Sequence, residues 1–214
     1  DRADLPVGCG EHHHFFAQGN DRVMTAAANH KVPNGVKPTR RIVCLDKEPN
    51  KSTLASDGFT PDVRTDPARP GFALQRMWVV DSAPAKLVYE TLHLPNVLIP
   101  PKNGSVLNVF TFPPDATWLG KVGQHEVAAY FQAMGATGAS TYSAQAKHPY
   151  MQKTRTLDLC IVLEGAITLV LDTQEVPLKA GDIVVQRGTN HAWSNRSDKP
   201  AIVSVASHDG KYSA

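Results

Sequence analysis

The sequence predicts an all-β domain, a barrel or two-sheet sandwich, with one short helix. Three observations predict it. Sixteen Pro and fifteen Gly punctuate the 214 residues. Few stretches carry a helical period. From residue 152 onward, short β-branched and aliphatic runs follow one another with turn residues between them. A chain of this length fits one domain with a proper core.

Taken in order, the chain opens on a segment set apart from the fold. Residues 1–23 contain His12-His-His-Phe-Phe-Ala-Gln-Gly-Asn, which resembles an affinity tag with a protease scar, and Met24-Thr-Ala-Ala-Ala resembles a natural start. The expected organisation is a tag-derived tail over 1–23, an N-terminal extension over 24–39 and a single domain over 40–214. The histidines at 12–14 read as a vector-borne nickel or zinc binder.

Residues 40–46 alternate and read as a first strand, and 53–56 pair back on it as a hairpin. Residues 57–70 form a loop rich in Pro and Asp. Residues 72–80 are a strong strand, with Arg76 and Trp78 expected on one face. Residues 86–99 are an excursion, the turn at 100–104 leads into a strand over 105–112, and Pro113 and Pro114 stop it. The helix lies over 123–135, because Val127, Tyr130, Phe131 and Met134 recur at three- and four-residue spacing and Gly135 stops it. Strands then follow at 152–164, 166–172, 175–179, 182–187, 191–195 and 200–207.

Bulk properties exclude several classes. Lys and Arg number 22 against 20 Asp and Glu, a net charge of +2 with no basic stripe, so nucleic acid is not an expected partner. No apolar run reaches the length of a membrane span. Cys9, Cys44 and Cys160 are too few and scattered for a disulfide framework. Cys44 and Cys160 fall in expected strands and read as small core residues. A reducing, cytoplasmic location is the simpler expectation. A Gly-rich phosphate loop, a dinucleotide fingerprint and a nucleophile elbow are all lacking.

The most informative stretch is Gly181-Asp-Ile-Val-Val-Gln-Arg-Gly-Thr-Asn-His191-Ala-Trp-Ser-Asn195: a buried strand, a tight turn at Gly188, then His191 and Trp193 entering the next strand. Its spacing resembles the second signature motif of the cupin superfamily, with Gln186-Arg187-Gly188 where the family usually has Pro-x-Gly. The first motif lies upstream in degenerate form, as Met151-Gln-Lys-Thr-Arg-Thr-Leu-Asp158, ending at Gly165. Gln152 and Thr154 fall on its two histidine positions and Asp158 on its glutamate position. Small single-domain cupins carry a related form, Met-His-x-Thr-x-Thr-x-Asp-Tyr, against which Gln152 replaces the histidine and Leu159 the tyrosine. The resemblance covers residues 100–210 well and 40–100 loosely. It implies a cupin-type β-barrel (a jelly roll, or double-stranded β-helix) and a homodimer, in which the β-rich N-terminal segment could exchange between subunits.

Residues 152, 154, 156, 158, 160 and 162 share one face of a strand. In a cupin barrel that face is the inside, so Gln152, Thr154, Thr156, Asp158 and Cys160 meet the cavity. Inward polar groups are costly unless they pair with one another, with water or with a ligand. A functional pocket explains them; the alternative is a closed hydrogen-bond ladder of Thr and Asp. His191 and Asp158 are the expected acid–base pair, with His148 at the pocket rim as a further catalytic candidate or else an exposed loop residue. Trp193 supplies a flat apolar wall, and Asn195 fixes its turn through backbone bonds. Arg76 and Trp78 line the cavity from the opposing sheet, Arg76 suiting an acidic or phenolic oxygen, or else Arg76 forms a surface salt bridge.

Two good ligands and an amide make a poor transition-metal site, so neither a metal nor another cofactor is expected. The first expectation is therefore a metal-independent lyase or isomerase. It would dehydrate, decarboxylate or cyclise a hydrophobic, oxygen-bearing small molecule of secondary metabolism. The alternatives are a metal-dependent cupin dioxygenase with an atypical ligand set and a non-catalytic ligand-binding barrel.

Overall fold

The computed structural model describes residues 32–212; Cys9 and the histidines at 12–14 lie outside the described residues. Eleven strands and one α-helix follow in the order β1 Arg40–Glu48, β2 Lys51–Phe59, β3 Val63–Thr65, β4 Ala73–Val80, β5 Ser105–Phe112, α1 Gln124–Ala133, β6 Thr156–Glu164, β7 Ala166–Leu171, β8 Glu175–Lys179, β9 Ile183–Arg187, β10 His191–Ser194 and β11 Ala201–Asp209.

A six-stranded sheet of order β3-β4-β5-β11-β6-β9 faces a three-stranded sheet of order β10-β7-β8, and β1-β2 form a separate two-stranded arm. Every pairing is antiparallel. The apolar alternation of the strands fills the space between the two sheets. Phe72, Leu74, Phe110, Cys160, Val162 and Val203 from one side meet Ile167, Leu169 and Trp193 from the other. Helix α1 closes this core with Val127, Tyr130 and Phe131. Its start is fixed by Glu126, whose carboxylate accepts from the Gly123 amide at 2.9 Å. Its end is fixed by Gly135 at φ 61°.

Both motif glycines are needed where they stand. Gly188 has φ 65°, and a Cβ there would lie 2.8 Å from the Tyr212 hydroxyl oxygen. Gly165 has φ 79°, and a Cβ there would lie 2.8 Å from the Pro200 carbonyl.

Three expectations differ in detail. The strand expected over 152–164 begins only at Thr156. Residue 152 leaves the six-stranded sheet to bridge His191 and Ser140 instead. Strand β3 lies in the Pro- and Asp-rich segment expected to be a loop, where three residues are too few to show a period. Cys44 is exposed on the arm rather than in the core, whereas Cys160 is buried.

Candidate active site

A cavity of about 60 Å³ opens inside the barrel. Strand β6 supplies one wall, because successive inward positions of a strand recur every second residue, and the segment before it adds to the lining. Gln152, Thr154, Thr156, Asp158 and Cys160 all line it, and β11 adds Ser207 by the same parity. The turn at Gly188 brings in His191 and Trp193. The rest of the lining is largely aromatic: Phe72, Phe110, Phe112, Tyr130 and Tyr150.

His191 is buried and its tautomer is fixed by the turn. Nδ1 lies 2.9 Å from the Thr189 carbonyl, an acceptor only, so Nδ1 carries the proton and donates it. Nε2 is then the lone-pair nitrogen. Burial pushes the imidazole pKa below its ordinary value, against the Thr189 bond and the nearby Asp158 charge, which both raise it. The ring stands edge-on to Trp193, with centroids 6.2 Å apart.

Oδ1 of Asp158 is buried without a hydrogen-bond partner, and so is Nε2 of Gln186, its cross-strand neighbour on β9. Thr154 and Thr156 pair with each other at 2.7 Å. The ladder is thus partial: it satisfies the threonines and leaves the carboxylate. Burial beside Asp158 pushes the Cys160 thiol up to about 12, so Cys160 is a neutral wall and not a nucleophile. Asn195 holds its turn as expected, donating to the carbonyls of Phe112 and Lys199 at 2.8 Å each.

Three expected site residues lie away from the cavity. Arg76 is buried and consumed by structure. It pairs with Asp62 at 2.5 Å and donates to the carbonyls of Leu92, Leu94 and Pro95. It ties down a strandless loop, where it was expected to meet a ligand or the surface. Trp78 lies on the opposite face from Arg76, because a bulge at Met77 sets Arg76 against Asn108 but Trp78 against Leu107. There the Arg41 guanidinium sits 5.2 Å from the Trp78 ring centroid. His148 is neither at a rim nor exposed. It is buried edge-on against Trp118, with Nε2 4.0 Å from an Asp115 oxygen that already accepts from Ser194.

Two groups that the sequence does not announce line the cavity. Arg69 comes from the loop before β4, and its guanidinium carbon sits 3.6 Å from the Tyr150 ring centroid and 3.9 Å from that of Phe72. Tyr150 donates to Asp66 at 2.8 Å, and Asp66 also accepts from Arg69 Nε at 2.7 Å. Both reach the site from loops, where no period marks an inward face. Ser207, by contrast, was open to discovery from the parity of the last strand.

The donor set does not fit a transition metal. Gln152 and Thr154 occupy the positions that would give imidazoles, and among the described residues no cluster of three or more His, Cys, Asp or Glu comes together.

Residues 140–207 match the Cupin_2 model, described as the cupin domain. Over those residues the chain carries a cupin domain. The chain is 56% identical over 48 residues to phomopsin biosynthesis cluster protein C' of Diaporthe leptostromiformis, a match covering 22% of this chain and 25% of that protein. It is 46% identical over 50 residues to oryzines biosynthesis cluster protein J of Aspergillus oryzae, covering 23% and 28%. The matched segments thus span about a quarter of those relatives' length. Among solved structures it is similar to a cupin 2 conserved barrel domain protein of Salinispora arenicola, at 15% identity and a TM-score of 0.35, over 69% of this chain and 82% of that one.

Proposed function

We propose that this cupin is a metal-independent acid–base enzyme of lyase or isomerase type, acting on a small, oxygen-bearing intermediate of secondary metabolism. The observation that carries the reading is the state of His191: Nδ1–H is spent on the Thr189 carbonyl, so Nε2 is a base held neutral by burial beside an unpaired carboxylate. A neutral imidazole can take a proton from carbon or oxygen. Asp158 stabilises the imidazolium that forms, and the proton is returned to the product. The aromatic wall excludes water from that exchange. The cavity of about 60 Å³ is well under the roughly 150 Å³ that holds a benzene ring, so it suits a small substrate or the reacting end of a larger one. The short similarity to proteins of the phomopsin and oryzines clusters supports a natural-product setting.

The test is deuterium wash-in. Small hydroxy, oxo and unsaturated acids are incubated with the protein in D₂O and read by mass. Incorporation that vanishes in both His191→Ala and Asp158→Asn supports the reading. Incorporation that survives both leaves shape and desolvation as the means, and ligand binding without any turnover favours a binding barrel.

We also propose that the cupin works as a homodimer. The outer face of β6 and β9 exposes Leu157, Leu159, Ile161, Leu163, Ile183 and Val185, each at 40% or more. The arm β1-β2 stands as its own sheet over an apolar groove lined by Ile42, Trp78, Leu107 and Val88. The six side chains expose on the order of 500 Å², large for one patch on a monomer. With the arm they approach the ~800 Å² per partner of a stable interface. A second copy about a two-fold axis meets the same face with itself, which makes it the fitting occupant.

A further inference from the structure

Arg69 is buried, 4% exposed, and lines the cavity. Its Nε donates to Asp66, but Nη2 is buried with no hydrogen-bond partner. Asp66 does not supply one: its oxygens accept from Arg69 Nε, the Tyr150 hydroxyl and the Ala68 amide. The rings of Phe72, Tyr130 and Tyr150 surround the guanidinium carbon at 3.6 to 4.5 Å. They hold the plane still and leave donors at its edge. An unsatisfied, charged donor in a dry wall is costly unless something negative completes it.

The two charges at the cavity also address different groups. Arg69 acts on Tyr130, Tyr150, His148 and Asp115. Asp158 acts on His191 and Cys160. A ligand with a negative end and a reactive end matches that division.

We infer that the cavity is selective for a carboxylate-bearing substrate, its carboxylate docked on Nη2 of Arg69 while the adjoining carbon chain meets His191 and Asp158. This rests on the acid–base reading above and names its substrate class. Arg69 is a binding group there, and no covalent step passes through it.

The test separates binding from turnover. Propionate and crotonate are titrated against their primary amides, with the arginine side-chain ¹⁵N–¹H resonances of the wild-type protein as one readout and affinity as the other. The acids should shift the Arg69 resonance and bind about tenfold to a hundredfold tighter than the amides. Arg69→Gln should abolish that preference, and His191→Ala should keep it. The inference is overturned if acids and amides bind alike, if no acid binds, if saturating acid leaves the Arg69 resonance unmoved, or if the preference survives Arg69→Gln. Should Arg69→Gln fail to fold, the wild-type resonances and the acid–amide ratio decide. Because the assay scores no turnover, its failure leaves the deuterium result for His191 and Asp158 standing by itself.

Discussion

Gln152 and His191 exchange both backbone hydrogen bonds, Gln152 donating to the His191 carbonyl at 2.8 Å and His191 donating back at 2.9 Å. The two motifs are therefore stitched together at the residue where the first has lost its imidazole. The scaffold for a ligand pair is present and the donor is not. Gln152→His with Thr154→His should supply two imidazoles beside His191 and Asp158, and restore a donor set of the kind zinc or iron takes. Protein starting at residue 24 should carry well under one equivalent of transition metal, and the double variant close to one. Metal analysis after dialysis checks both, and stoichiometric metal on the unaltered protein would reinstate the dioxygenase alternative.

Asp158→Asn should separate stability from function. The buried Oδ1 has no partner, and Gln186 Nε2 across the strand has none either. Removing the carboxylate charge lifts a desolvation cost. A gain of about 1 kcal/mol, or roughly 2–4 °C in Tm for a chain this size, is the expected direction. Turnover should fall about a hundredfold to ten-thousandfold, as for loss of an acid–base group. Calorimetry beside the deuterium assay reads both. A lower Tm would mark Asp158 as structural.

His148 should make the fold acid-sensitive. Burial drives its pKa from 6.5 down to about 4, helped by the charges of Arg69 and Arg196. Below pH 6.5 the unfolded chain binds a proton that the folded ring refuses, so stability falls as pH drops toward 4, by at most about 3 kcal/mol. Asp115 opposes this, because burial raises its carboxyl and the folded state takes up that proton first. Comparing His148→Asn with wild type isolates the histidine, since an Asn oxygen can replace Nδ1 as acceptor for the Tyr150 amide. Denaturant melts at pH 7 and pH 5 should show a smaller pH loss in the variant. An equal loss would remove His148 as the cause.

The sequence made the strands and the β6 wall of the cavity legible because both follow a period of two. That period carried Thr156, Asp158 and Cys160 to one wall, Gln152 and Thr154 reach the cavity from the segment before the strand, and the Gly188 turn carried His191 and Trp193 to join them. The same rule misplaced Trp78, since one bulged residue at Met77 reverses every face beyond it and leaves no mark in the residue order. Arg69 and Tyr150 had no period to follow. They meet through Asp66, which is 84 residues from Tyr150, and only the fold brings them together.

The outer face of β6 and β9 makes the last prediction. Leu159 pairs across the ladder with Val185, and Ile161 with Ile183, so four aliphatic side chains form a flat block open to solvent on one copy. Water gains nothing from that block, and a second copy hides it. The full chain should sediment as a species of about twice its 23.2 kDa. Leu159→Lys with Ile183→Lys should give a folded monomer, because exposed positions tolerate charge within about 0.5 kcal/mol while a buried dimer seam does not accept four unpaired ammonium groups. Circular dichroism confirms folding of the variant and sedimentation equilibrium reads the mass. A wild-type protein that stays monomeric at tens of micromolar, a range in which an interface of about 800 Å² per partner holds, would leave that face without a second copy to cover it.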